Sequence, residues 1–411
     1  MIRKLLSIVL AMVIVSCFAV STGCNSKTEK TKVVIWHSSG EKQNEALDDI
    51  VKRFNDSHPN IEVVAESQPS ANFMNNVYSA VANGVGPDII FNFASTASDF
   101  IAEGKLVNLS EYFDLNELKS IVPKAVFDEC TSFEGGGLYC LPLHSSGPVL
   151  FYNKAIYDEL ELIAPNTWEQ LTANAKTIFE TKGIPGFAAD SLTDLMQCQI
   201  LQRGEGYIDV DAKKILFNTD SMLESLEWYG SNVRAGYFTN EKDGSYFYNN
   251  LNSGLVAAII ASCGCEEYIT IPDYAVAPIP QIGDEEWVPS WNRALMVFTS
   301  NKTQEAAAVE FLKFFTNAEN SAQWCIASGN ISPYSYTASV PEYQEFLTKN
   351  KALAVVNNCK EKSTMLPTIA GASTVRSELE RLATVAISSD TNLVEELSNS
   401  EKICNDALNG K

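Results

Sequence analysis

Histidine is scarce in this chain of 411 residues: only His37, His58 and His144 occur. A metal centre built on imidazole is therefore not expected. Positive charge is scarce as well. Lys and Arg number 30 against 51 Asp and Glu, a formal net charge of −21. This balance excludes a nucleic-acid partner, because phosphate backbones are held by basic footprints. Anionic lipid head groups would repel the bulk of such a chain. Gly (22) and Pro (15) are too few for collagen or a proline-rich linker. Beyond the N-terminus no apolar run approaches the ~18 residues of a membrane span.

Catalytic signatures are missing too. No G-x-S-x-G elbow occurs, and Ser262-Cys263-Gly264 lacks its flanking glycines. No G-x-x-x-x-G-K-[ST] loop occurs, so the chain is no P-loop ATPase. The Gly-rich stretch at 133–137 reads as the tip of a hairpin, because no helix signal comes after it. So many acids always supply carboxylate pairs, yet no two of them are marked for glycoside cleavage. Neither an enzyme nor a cofactor is expected.

What is present is an ordinary globular balance, 45% hydrophobic and 20% charged. The length suits two to three domain-sized units. Arg3 and Lys4 precede an apolar run from Leu5 to Val20, and Ser21, Thr22 and Gly23 lead into Cys24. This is a secretory signal, residues 1–23. Residues 24–32 are polar and suit a tether rather than a core. Eight cysteines remain beyond Cys17 and Cys24. Cys130 and Cys140 flank the expected hairpin and could pair across it, since export permits disulfides. The others read as small buried hydrophobes.

Periodicity sets the fold class. Residues 33–36, 61–64 and 88–91 read as strands, with amphipathic helices between them marked by Leu47, Ile50, Phe54 and by Phe73, Val77, Val81. Strand–helix–strand repeats imply right-handed crossovers and a parallel sheet. Further strands are expected at 149–152 and 294–299, and an extended segment at 274–282, where two prolines forbid a helix. Residues 255–262 fit a buried strand or a short buried helix. Thr167 and Gln170 have capping-box spacing for a helix. From 345 to 410 the pattern is helical.

Several stretches together carry a family resemblance: IWHS at 35–38, RFNDSHPNIEV at 53–63, GPDII at 86–90, SSGPVLFYNKAIYDE at 145–159, NTWEQL at 166–171, EFLKFFTNAENSAQW at 310–324 and SGNISP at 328–333. With the small residues before Cys24, which resemble a lipoprotein lipobox, they make the chain similar to the extracellular solute-binding proteins of bacterial ABC importers. Within the large sugar-binding class it is most similar to the glycerol-3-phosphate-binding members. The resemblance implies an α/β fold of two lobes around a hinged cleft. Lobe 1 is expected over 33–145 plus 270–325, and lobe 2 over 146–269 plus 326–411. It implies a lipid on Cys24, a place on the outer face of the cytoplasmic membrane, ABC permease subunits as partners, and a monomer. The solute would be a sugar or a glycerol phosphate ester, held by Ser146, Ser262 and Arg376. Departures from the pattern are Phe73 for a Tyr, Ala94 for a Glu, Asn292 for a Gly, Asn330 for a Tyr, and Ser191 near a pocket Trp. Phe73 and Asn292 stay ligand candidates. Trp291, in a loop before a strand, is a platform candidate for a sugar ring. Ligand is expected at the carboxyl ends of the strands, with the 37–41 loop as one wall. A ligand-presenting sensor subunit for a membrane kinase, or a secreted glycan hydrolase, are the alternative readings.

Overall fold

The structure, a computed structural model, describes residues 30–133, 135–244, 246–282, 287–359, 363–364 and 367–411. The signal segment, Cys24 and most of the tether lie outside the described residues.

Two sheets organise the chain. In the first, strands run in the order Ile61–Ser67, Thr31–His37, Ile89–Phe93, Trp291–Val297, Leu141–Ser146. Its first three strands are parallel, as the crossover pattern requires, and Trp291–Val297 is antiparallel to both of its neighbours. Helix Glu41–Ser57 makes the first crossover and buries Leu47, Ile50, Val51 and Phe54 against this sheet. Helix Phe73–Ala82 makes the second. Burial of these apolar stripes is the main stabilising term.

The second sheet has the order Tyr274–Ala277, Pro148–Asn153, Ala258–Ser262, Ala188–Ala189. Residues 258–262 thus resolve as a strand. Helices Trp168–Lys182, Leu192–Leu201, Asp220–Arg234, Ala372–Val385 and Leu393–Leu408 pack into its core. Thr167 caps the first of these, accepting from the Gln170 N–H, while the Gln170 side chain reaches back one residue further than the capping box predicts, to the Asn166 N–H. Helix Asp220–Arg234 approaches the end of Ala372–Val385 so closely at Gly230 that a Cβ there would lie 1.9 Å from the Ala386 carbonyl oxygen.

The two expected lobes are present, but their boundaries shift. Strand Tyr274–Ala277 pairs with Pro148–Asn153, so this strand completes the second sheet instead of joining the first. Tyr334 and Tyr343 pack in the first core, and the Tyr334 hydroxyl donates to the Pro142 carbonyl over 2.6 Å. The chain therefore stays with the first lobe past 326 and crosses near Phe346 and Leu347, which touch both cores. Other crossings are Gly147, alone between two strands, and the step from Val288, in the second core, to Trp291, in the first sheet.

The hairpin expected at 130–140 is not formed. Cys130 lies in the last turn of a helix, Lys124–Thr131, and Cys140 precedes strand Leu141–Ser146, so a helix is joined to a strand. Both thiols are free and buried, as are most of the others. Among the described residues no helix is long and apolar enough to cross a membrane.

Candidate functional site

Three parallel strands end at His37, Ser67 and Phe93, and the segments leaving those ends enclose a cavity of ≈ 400 Å³. Ser38 comes from the first strand's exit, Asn92 from the third strand, and Phe73 and Asn75 from the first turn of helix Phe73–Ala82. The opposing wall is Tyr246 of the second lobe, anchored because its neighbour Phe247 is buried and gives its N–H to Asp190 Oδ1 over 2.8 Å. A larger groove of ≈ 960 Å³ involves helices 41–57 and 318–328 and takes no residue from the strand ends. The smaller, polar cavity is the one placed where open α/β sheets bind ligands.

Arg293 forms the floor. It pairs with Phe93 across adjacent strands, stacks its guanidinium 3.7 Å from that ring's centroid, and donates from Nη1 to Asn92 Oδ1 over 2.8 Å. Burial pushes its pKa down to about 10, with Tyr246 opposing and Arg376 adding to the effect. From the second lobe Arg376 faces the same Phe93 ring at 5.9 Å. Unlike Arg293, Arg376 is ion-paired, to Asp194 Oδ1 at 3.1 Å, and donates to Gln197 Oε1 at 3.3 Å. Among the described residues Arg293 has no carboxylate partner within 4.0 Å.

The residues singled out in the sequence divide by position. Phe73 lines the cavity. Trp291 lines a separate pocket of only ≈ 20 Å³ together with Asp190, Ser191 and Asp194. There the Trp291 indole N–H and Asp190 Oδ2 are buried without a hydrogen-bond partner among the described residues. Burial also raises the Asp190 carboxyl above its ordinary range, against the Phe247 N–H and Lys242. Ser146 donates to the Trp291 carbonyl over 3.4 Å, and Ser262 accepts from the Gly264 N–H over 3.3 Å. Asn292 is buried, accepting from the Ser145 hydroxyl over 2.7 Å and donating to Glu129 Oε2 over 2.6 Å. Asn330 donates to the Ser328 carbonyl and Ala94 is buried, both outside the cavity lining. Ser38 fulfils the expected position of the 37–41 loop, whose Gly40 N–H is taken by Gln43 Oε1.

Arg293, Asn92 and Tyr246 went unnoticed in the sequence. The signal for Arg293 was present: the strand begins at Trp291, not 294, so Trp291 and Arg293 share one face and Asn292 takes the other.

Residues 38–322, more than half the chain, match the family model described as bacterial extracellular solute-binding protein. The chain belongs to this family. The solute-binding protein is 21% identical over 346 residues to the sn-glycerol-3-phosphate-binding periplasmic protein UgpB of Yersinia pseudotuberculosis, covering 78% of each chain. Its fold is similar to that of the GacH receptor of Streptomyces glaucescens, at TM-score 0.81 and 18% identity over 92% of this chain and 99% of that one. It is also similar to the cyclic alpha-maltosyl-1,6-maltose binding protein of Arthrobacter globiformis, at TM-score 0.74 and 21% identity over 93% of this chain and 100% of that one. The two-lobed α/β architecture of periplasmic binding proteins is thus the fold of this chain.

Proposed function

We propose that this protein is the membrane-anchored substrate-binding component of an ABC importer, working as a monomer that captures a small hydroxylated solute between its lobes and presents it to permease subunits. The observation that carries this reading is the polar cavity at the strand ends, walled by Ser38, Asn92 and Arg293 from one lobe and Tyr246 from the other. A ligand touching both walls favours the closed arrangement by its differential affinity. The relatives' names support two solute classes: glycerol-3-phosphate for UgpB and acarbose for the receptor GacH. A sugar or a glycerol phosphate ester is accordingly the solute. Phe73 serves in the wall, and Trp291 serves from the separate small pocket that it lines with Asp190 and Asp194. Ser146, Ser262, Asn292 and Arg376 act by holding the hinge and the cavity floor in place. The lipid sits on Cys24, and residues 24–32 give it reach.

The test is thermal unfolding of residues 25–411, which contain every described element, against glycerol-3-phosphate, monosaccharides and short oligosaccharides. A ligand at about 100 times its Kd adds ~2.7 kcal/mol of stability and raises the midpoint by several degrees. Absence of any shift across the panel would sink the reading. For the anchor, labelled palmitate should enter the full chain in bacterial cells and fail to enter Cys24→Ala.

A further inference from the structure

Among the described residues the cleft cavity contains one formal charge and no carboxylate to balance it. Its polar lining is Ser38, Ser70, Asn72, Asn75, Asn92, Tyr246 and Arg293, with no acid among them. This is unusual in a chain carrying −21. The neighbouring cation, Arg376, has Asp194 at 3.1 Å, whereas Arg293 has a neutral amide and the face of Phe93. A desolvated guanidinium in that state gains most from an oxyanion, which meets its planar fork with charge-assisted bonds.

A second feature points into the same space. Helix Phe73–Ala82 has ten residues, and its start, from Asn72 to Asn75, lines the cavity. The Phe73 N–H is given to the Ser70 carbonyl of the preceding turn, but Asn72, at the cap position, makes no side-chain cap bond to the amides that follow. Such amides, with the helix dipole behind them, favour a negative group.

We infer that the cleft selects solutes bearing one anionic group, a phosphate monoester or a carboxylate on a polyol or sugar, with Arg293 and the first turn of helix Phe73–Ala82 as its receptor. The inference rests on the proposed solute-binding role of the cavity and narrows it. It also moves the anion away from Ser146, Ser262 and Arg376, whose polar groups bond within the protein. The neutral part of the solute then faces Tyr246, Ser38 and Asn92.

The experiment is calorimetric titration of residues 25–411 with matched pairs: glycerol and glycerol-3-phosphate, glucose and glucose-6-phosphate, galactose and galacturonate. At least one anionic member should bind at least tenfold more tightly than its neutral partner. In Arg293→Gln that preference should fall by about 10- to 100-fold, the size of a charge-assisted hydrogen-bond pair. Asn75→Asp, at an exposed first-turn position, should weaken the same ligands without touching the floor, and it covers the case in which Arg293→Gln fails to fold. The phosphate and carboxylate arms identify the anion. Neutral members binding as well as anionic ones, or a preference unchanged in both variants, would overturn the inference and leave the solute-binding reading standing. Silence across every pair would count against both.

Discussion

Lys42, on the first helix of one lobe, places Nζ 2.8 Å from Glu267 Oε2 of the other. The same ammonium lies 5.8 Å from the Tyr268 ring, and Tyr268 stacks on Tyr248, which stacks on Tyr246 at the cavity. The contact therefore bridges the lobes at one end of an aromatic row leading to the site. Its partners are 48% and 30% exposed, so it is screened and weak, contributing at most about 1 kcal/mol. Lys42→Ala should loosen solute binding by no more than about fivefold and leave the unfolding midpoint nearly unchanged. The difference should vanish near 1 M salt, where the screening length is about 3 Å. A loss above tenfold, or one insensitive to salt, would show that Lys42 does something other than pair with Glu267.

Asp99 makes the stronger bridge. It sits on a short helix of the first core, and its two oxygens accept from the Gly371 N–H and the Ser373 hydroxyl, both at 3.1 Å, at the start of second-lobe helix Ala372–Val385. That helix has no side-chain cap of its own. Asp99 Oδ2 also accepts from the Tyr78 hydroxyl over 2.7 Å. Replacing Asp99 by Ala removes a cap and leaves a half-buried phenol without its acceptor, a cost of about 2–3 kcal/mol. The melting midpoint of Asp99→Ala should fall by roughly 5 °C. An unchanged midpoint would mean that the inter-lobe cap contributes nothing.

Much of the fold was readable because its signals are local. The spacing of Leu47, Ile50 and Phe54 and the apolar runs around Ile35 and Ile90 each report on one element, and the crossover rule then orders them. The misplaced parts depend on distant partners. Nothing near Tyr274 tells which of two sheets will pair with it, and its partner Asn153 lies more than a hundred residues away. The site was less legible still. Net charge hid a cationic cleft, because the acids that set the total line other surfaces. Asn292 and Arg293 are neighbours, yet strand alternation sends one to Glu129 and the other to the cavity.

The thiols should be protected in the native protein. Seven of the eight in residues 25–411 are buried, and only Cys359 is half-buried. Burial raises Cys198 and Cys265 well above ordinary thiols, and contact with Cys140, together with burial, does the same to Cys130. Protonated, enclosed sulfur reacts slowly. Native residues 25–411 should therefore yield at most one fast-labelling thiol, lost in Cys359→Ser, and eight after denaturation without reductant. Six after denaturation would mean that one pair had oxidised, with Cys130 and Cys140 the first to check by mass.

Two buried groups give the folded state opposite pH slopes. Glu129 accepts from Asn292 at the base of the hinge strands, and burial raises its pKa from 4.5 to about 8, with the Asn292 bond opposing. Between those values the folded carboxyl keeps a proton that the unfolded chain has released. Stability from this group thus falls as pH rises from about 5 to 8, by roughly 3–5 kcal/mol. His144 accepts from the Trp324 indole N–H over 2.9 Å, and burial, aided by Arg293, lowers its pKa from 6.5 to about 3. The folded imidazole stays neutral while the unfolded one takes a proton, so its contribution is lost as pH falls below 6.5. Glu129→Gln keeps the Asn292 bond and removes the first slope. Melting midpoints measured from pH 5 to 8 should accordingly decline less steeply in Glu129→Gln than in the parent chain. Parallel curves would show that the Glu129 carboxyl is ionised in the folded protein and its burial compensated.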